Sequence, residues 1–480
     1  MATRKRELKT EKRTVRLCRW LPLILVAAIA STATADSGDK KSVGQVTLQV
    51  GTSHPTLIAD KKQTSYVRIA LTGSEIESTK KRPPVNVAIV IDNSGSMSGS
   101  KIDQARRAAI AAVKRLRDDD IVSVVLYNSN VSVLVPATKA SDRESIIRQI
   151  ESVQAGGSTA LFAGVSKGAA ETRKFLRDES VNRVILLSDG QANVGPSSPS
   201  ELENLGASLV KEGISVSTLG LGLGYNEDLM SGLAISGSGN HMFIEEADDL
   251  VAVFNKEFND LLSVVAGDFE IEATLAEGVR PVKVLGTNAD IVGQKVFIPL
   301  TQLYSNQERY FVLEVEIAAG KAGTSRQLVD VSVNYINKIN QTPEKLTASL
   351  GIRFTDDETK VSADRDLETL AFCSVQIAND RNRQATLLRD SGQIGEAEKL
   401  LKQNTEELKA LKIICEAKDI KIVLPALEVN IELNRAQASS VRDESKWYSG
   451  RKMMREAQNY NQSQQRALPS GIKSSPSPER

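Results

Sequence analysis

The chain has 480 residues, 41% of them apolar, and 61 Lys and Arg against 60 Asp and Glu, for a net charge of +1. That length suits about three domains, and the apolar content suits folded cores. The balanced charge excludes the basic surface of a nucleic-acid binder, and two histidines without an H-E-x-x-H pattern exclude the common zinc-protease signature.

The first 35 residues read as an export signal. Arg4, Lys5, Arg6, Arg13, Arg16 and Arg19 precede an apolar stretch, 21–30, and then Ala33-Thr34-Ala35, a small-x-small cleavage site. Cleavage is expected after Ala35, with an uncleaved anchor as the alternative. The apolar stretch is short for a membrane span. No other stretch reaches that length, so the mature chain is expected to have no membrane span. Cys18 precedes the apolar stretch and is not placed as a lipoprotein cysteine. Residues 1–35 carry a net charge of +6, so the mature chain stands near −5. The expected location is the periplasm, the cell surface or the medium.

Residues 45–50 and 66–71 alternate polar and apolar, as half-buried strands do. Arg82-Pro83-Pro84 then breaks the pattern. Strands are predicted at 85–91, 121–127, 131–135, 184–187, 214–219 and 242–244. Helices are predicted at 101–116, 141–153, 161–176 and 201–212. Such alternation argues an α/β unit, a doubly wound, mostly parallel sheet covered on both faces. The short connection before 131–135 makes that strand an antiparallel edge. A last helix, 250–264, carries the apolar stripe Leu250, Val251, Phe254, Phe258, Leu261 and Leu262.

From 268 to 354 the period becomes two, as in Phe269, Ile271, Ala273 and Leu275, or Phe311, Leu313, Val315 and Ile317. This predicts an antiparallel sandwich. The strands before Arg82 are too few to stand alone, so they are expected to join it, leaving the α/β unit inserted in a split β-sandwich. Residues 364–435 read as helices, including an αα-hairpin about Gly392. Gly392-Gln393-Ile394-Gly395-Glu396-Ala397 is similar to a tetratricopeptide turn, but a single hairpin defines no repeat array. Residues 447–480 are rich in Gln, Ser, Pro and basic residues and read as a disordered tail. The expected boundaries are 1–35 signal, 36–82 first sandwich strands, 83–265 α/β domain, 266–356 sandwich, 357–440 helical region and 441–480 tail. Cys373 and Cys415 lie in predicted helices, either paired in an oxidising compartment or buried as thiols.

The most informative segment is Asp92-Asn93-Ser94-Gly95-Ser96-Met97, at the end of the 85–91 strand. Side chains two apart on extended chain point the same way. One carboxylate and two hydroxyls therefore converge, and hard cations take oxygen ligands. The alternative is that these residues only cap the following helix. The D-x-S-x-S pattern resembles the start of the metal-ion-dependent adhesion site of von Willebrand factor type A domains. Gly156-Gly157-Ser158-Thr159, followed by Gly164, and Ser188-Asp189-Gly190, after a predicted strand, match the family's later loops in order and approximate spacing. The resemblance covers about 85–264 and extends to bacterial exported and chloride-channel-accessory-like proteins. It implies that Ser94, Ser96 and Thr159 are hydroxyl ligands, with Asp92 and Asp189 supplying negative charge partly through water. The implied ion is Mg²⁺, with Mn²⁺ or Ca²⁺ as alternatives. It also implies a protein partner presenting Asp or Glu to complete the shell, and a last helix that slides on binding in some relatives, with a fixed packing helix as the alternative here.

Enzyme chemistry has little support. Ser188 has no visible base, His241 reads as a structural residue at a strand edge, and Gly220-Leu221-Gly222-Leu223-Gly224 lacks the Lys and the immediate helix of a phosphate loop. The expectation is a binding module rather than an enzyme, and the alternative is an envelope scaffold whose metal only stabilises the loops.

Overall fold

A computed structural model describes residues 38–76, 82–190 and 192–464. The expected export signal lies outside them. Four strands come first: β1 (Gly38–Val43), β2 (Val46–Thr52), β3 (Thr56–Ile58) and β4 (Gln63–Gly73). The α/β domain follows as β5 (Val85–Asp92), α1 (Ser100–Arg115), β6 (Ile121–Tyr127), β7 (Val131–Lys139), α2 (Arg143–Glu151), α3 (Leu161–Arg173) and β8 (Val181–Ser188). It continues through α4 (Pro199–Lys211), β9 (Ile214–Leu221), α5 (Glu227–Ser236), β10 (Ser238–Ile244) and α6 (Leu250–Leu261).

Its sheet runs β10-β9-β8-β5-β6-β7. All pairs are parallel except β6–β7, so β7 is the antiparallel edge strand expected from its short connection. Every residue of β5, β8 and β9 is buried, because helices cover both faces. One core joins the sheet to α1, α2 and α6 through Ile102, Ile146 and Phe254, and the other joins it to α3, α4 and α5 through Val165, Leu202 and Leu233. Helix α3 lies close to the sheet because of its glycines. A Cβ on Gly168 would meet Val90 at 2.5 Å, and one on Gly164 would meet the Tyr127 ring at 2.7 Å.

The sandwich then resumes with β11 (Val264–Leu275), β12 (Val279–Leu285), β13 (Asp290–Val292), β14 (Lys295–Tyr304), β15 (Glu308–Ile317), β16 (Ser325–Asn337) and β17 (Thr342–Thr355). Its sheets are β1-β2-β4-β15-β12 and β13-β14-β11-β16-β17-β3. The strands before Arg82 thus enter both sheets, with β4 antiparallel to β15 and β3 parallel to β17. The α/β domain is inserted between β4 and β11.

One boundary and one additional helix differ from the sequence reading. Helix α6 stops at Leu261 and Val264 already opens β11, because the apolar Leu261, Leu262, Val264 and Val265 continue the stripe while leaving the helix. Helix α5 was not anticipated. It starts at Asn226, whose side chain accepts hydrogen bonds from the N–H groups of Asp228 and Leu229.

Helices α7 (Glu358–Ala363), α8 (Leu367–Asp390), α9 (Ile394–Ala417), α10 (Leu424–Ser440) and α11 (Glu444–Ser463) complete the described chain. The tail expected to be disordered from 441 is instead helical to Ser463, and 465–480 lie outside the described residues. Its polar composition is consumed in buried hydrogen bonds: Gln458 to Asn382 and Thr386, Asn459 to Ser231, and Asn461 to Asn430. Lys452 is fully buried on the Tyr225 carbonyl and Glu227, and Glu456 accepts from the Phe243 N–H on the exposed edge of β10. Helix α11 therefore covers the edge strand of the α/β sheet, the position most open to unwanted pairing. Cys373 and Cys415 are free and buried. No helix among the described residues is long and apolar enough to cross a membrane.

His241, in β10, is fully buried between Thr218 Oγ1 (2.9 Å) and the Tyr225 hydroxyl (3.4 Å). Burial pushes its pKa down from 6.5 to about 3, with Lys452 acting in the same direction against Glu227. The folded state thus keeps it neutral while the unfolded chain takes up a proton below 6.5. Stability linked to His241 is full above that pH and is lost progressively as pH falls toward 3. At pH 5 the expected loss is about 2 kcal/mol. Thermal unfolding at pH 7 and pH 5 should therefore show a smaller acid shift in His241→Gln than in the wild type. An equal shift would remove His241 as a source of acid sensitivity.

Candidate metal centre

Asp92 is the last residue of β5, and Ser94 and Ser96 lie on the turn that leads into α1. This is the carboxyl edge of the sheet, where open α/β folds bind ligands. The Ser94 N–H donates to Asp92 Oδ1 (2.9 Å), the Ser94 and Ser96 hydroxyls are 3.1 Å apart, and Ser96 donates to Asp189 Oδ1 (2.7 Å). Asp189 reaches the cluster from the end of β8, whose last residue, Ser188, donates to Asp92 Oδ2 (2.8 Å).

Thr159 arrives on the loop before α3. That loop is tied to the first by hydrogen bonds from the Gly95 N–H to the Gly157 carbonyl and from the Gly156 N–H to the Asn93 carbonyl. A Cβ on Gly190 would lie 3.2 Å from Thr159 Oγ1 and 3.7 Å from Asp92 Oδ2, so these oxygens face one small space that Gly190 leaves open. The structure thus brings together all five residues singled out in the sequence. Ser158, the neighbour of Thr159, is exposed and gives its N–H to Ser129.

Asp92, Ser94, Thr159 and Asp189 are buried, while Ser96 is exposed at the mouth. Lys101, from the first turn of α1, pairs with Asp189 Oδ2 and lies 3.4 Å from the Ser96 carbonyl. Among the described residues no cation lies beside Asp92. Burial raises its pKa, its hydrogen bonds from Ser94 and Ser188 lower it, and the neighbouring Asp189 raises it further. The cluster therefore holds one carboxylate neutralised by a lysine and a second whose charge is held by dipoles alone.

No group of three or more His, Cys, Asp and Glu that could hold a metal occurs among the described residues. The donors here are two carboxylates and three hydroxyls, an all-oxygen set that fits a hard divalent cation keeping several waters. Three supporting residues were not singled out for the site: Lys101, Ser188, and Asn193, whose side chain accepts from the Thr159 N–H at 2.9 Å. Their sequence spacing carries no signal, since each acts across a turn or between loops.

The comparisons bear on the α/β domain that carries this site. The model of the von Willebrand factor type A domain family matches residues 86–256. YfbK of Escherichia coli (strain K12) is 31% identical over 192 residues, 40% of this chain and 33% of its own length. Human inter-alpha-trypsin inhibitor heavy chain H3 is 28% identical over 205 residues, 40% of this chain and 23% of its own length. The chain thus spans a third or less of either relative. Among solved structures, a von Willebrand factor type A protein from Catenulispora acidiphila superposes with a TM-score of 0.64 at 16% identity, covering 83% of this chain and 92% of its own. The ArnB paralog VWA2 from Sulfolobus acidocaldarius gives 0.63 at 18%, covering 88% and 100%. These two likenesses extend the shared fold well beyond the α/β insert. Fold, family match and relatives together identify residues 86–256 as a von Willebrand factor type A domain.

Proposed function

We propose that the chain is an exported, metal-dependent protein-binding module, not an enzyme, which captures an acidic partner residue through a divalent cation. Domains of this type commonly mediate protein–protein interaction, which supports the general reading. The observation that carries the specific one is the buried Asp92 carboxylate, without a cation beside it, facing Ser94, Ser96, Thr159 and Asp189 at the edge of the sheet. In this reading Ser94, Ser96 and Thr159 would hold the ion through hydroxyls, and Asp92 and Asp189 would hold it through charge and bound water. The bound cation would supply a coordination position for a carboxylate from outside. Ser188 and Asn193 would orient Asp92 and the Thr159 loop. Mg²⁺ suits this set, with Mn²⁺ or Ca²⁺ as alternatives. The proposed location is the periplasm, the cell surface or the medium.

The second reading, an envelope scaffold whose metal only stabilises the loops, draws on the three backbone-linked turns. Capture from an envelope extract, with and without chelator, separates the two. Loss of capture in Asp92→Ala with an unchanged melting curve is the result expected of a binding module. A lowered melting temperature with capture intact would favour the scaffold.

Thr159→Ala should weaken a calorimetric Mg²⁺ titration by about tenfold or more. An unchanged titration would take Thr159 out of the ligand set and turn attention to Ser158.

A further inference from the structure

The glycine-rich end of β9 and the loop that follows it border the site. A Cβ on Gly220 would meet the Tyr225 ring at 2.3 Å, and one on Gly224 would meet the Asp189 carbonyl at 2.8 Å. Gly222 has φ 70°, and a Cβ there would lie 3.8 Å from Lys101 Nζ. Gly224 lets this loop press against Asp189, and Gly222 lets it turn through a left-handed backbone beside Lys101. The residue it lifts outward is Leu223, which is 40% exposed. A second aliphatic side chain, Val194, is 38% exposed, and its N–H is held by the Thr159 carbonyl (3.2 Å). Scattered exposed aliphatics mean little, but these two border the loops carrying Asp189 and Thr159. The loops on the other side present Ser98, Ser129, Asn130 and Ser158, all exposed and neutral.

Charge narrows the partner further. The Gly222 N–H bonds the Ile244 carbonyl (2.7 Å), which sets the end of β10 beside this loop. Exposed Glu245, Glu246, Asp248 and Asp249 follow that strand. Lys101 beside this loop is already paired with Asp189, so a second acid arriving on the Leu223 side would meet like charge, whereas an aliphatic side chain would cover Leu223 or Val194.

We propose that Leu223 and Val194 are specificity residues, and that the partner segment carries a single acidic residue directly flanked by an aliphatic one rather than a run of acids. This rests on the cation-mediated reading above. The ion takes the carboxylate of any acid, and the apolar rim discriminates by what lies beside it.

The test uses the full chain in Mg²⁺ and beads displaying Gly-Gly-Asp-Leu-Gly-Gly, Gly-Gly-Asp-Ser-Gly-Gly or Gly-Gly-Asp-Asp-Gly-Gly. The expected result is retention on the Asp-Leu beads at least about threefold above the other two, abolished by chelator. Leu223→Ser, an exposed change that calorimetry should show still binds Mg²⁺, should erase the preference, and Val194→Ser should reduce it. Equal retention on all three peptides, or a preference that survives both substitutions, would overturn the assignment while leaving cation-mediated capture standing. Retention on none of them, with Mg²⁺ still bound, would overturn both.

Discussion

Asp92→Asn should abolish divalent-cation binding and leave the metal-free protein at least as stable as the wild type. Burial and the neighbouring Asp189 disfavour the charged form of Asp92, while hydrogen bonds from Ser94 and Ser188 favour it. Asparagine keeps the acceptor for the Ser94 N–H and can donate to Ser188, so the hydrogen bonds persist while the unfavourable charge is gone. A raised carboxyl pKa means that the folded state binds its proton more tightly, so ionisation at neutral pH costs stability, and the substitution removes that cost. The cation loses one of its two carboxylates, and affinity should fall by about 100-fold or more, beyond the usual loss for an outer partner of a ligand. Melting curves with and without Mg²⁺ read both effects: the metal-free curve should hold or rise, and the Mg²⁺-dependent shift should vanish. A metal-free melting temperature well below the wild type would mean that Asp92 serves the fold first.

Arg183→Met should destabilise the protein by about 3 kcal/mol or more. Arg183 and Glu257 are fully buried and paired at 2.9 Å. The guanidinium also donates to Ser215 (3.0 Å), Gln302 (2.7 Å) and the Tyr304 hydroxyl (2.6 Å). It therefore joins β8 and α6 of the inserted domain to β14 of the sandwich. Removing it strands Glu257 in the interior with Ser217 and Asn240 as donors. The double variant Arg183→Met, Glu257→Gln should recover much of the loss, since no unpaired charge remains. Urea unfolding of the three proteins measures this. Equal midpoints for the single and double variants would show that the cost comes from packing rather than from the stranded charge. The same network bears on movement of α6. A one-turn slide, about 5.4 Å, would carry Glu257 away from Arg183, Ser217 and Asn240 together.

How much of this was legible in the sequence depended on whether burial left an apolar trace. The central strands did, because a parallel strand covered on both faces is a nearly continuous apolar run rich in Val and Ile, as in Val85–Asp92. The split sandwich was legible because its strands alternate and because two lone strands cannot stand by themselves. Helix α11 was not, because it buries Gln458, Asn459 and Asn461 by hydrogen bonding, and such residues read as solvent-facing. The boundary after α6 was blurred by apolar residues that belong to both the helix and β11. Within the site, Asp92, Ser94 and Ser96 stood out through their alternate spacing at a strand end, and Thr159 and Asp189 through the resemblance of their loops to the family's. Lys101, Ser188 and Asn193 act through space, from a helix turn, a strand end and a loop, and only the fold brings them together. The outward-facing Leu223 was hidden by glycines whose reason is close packing against Asp189 and Tyr225.

The most direct measurement is the anomalous scattering of Mn²⁺ in crystals of the full chain grown or soaked with that ion. A single strong peak is expected in the space enclosed by Asp92, Ser94, Ser96, Thr159 and Asp189, and it should be absent in Asp92→Asn crystals treated in the same way. An empty space there at saturating Mn²⁺, or a peak unchanged in the variant, would contradict the account.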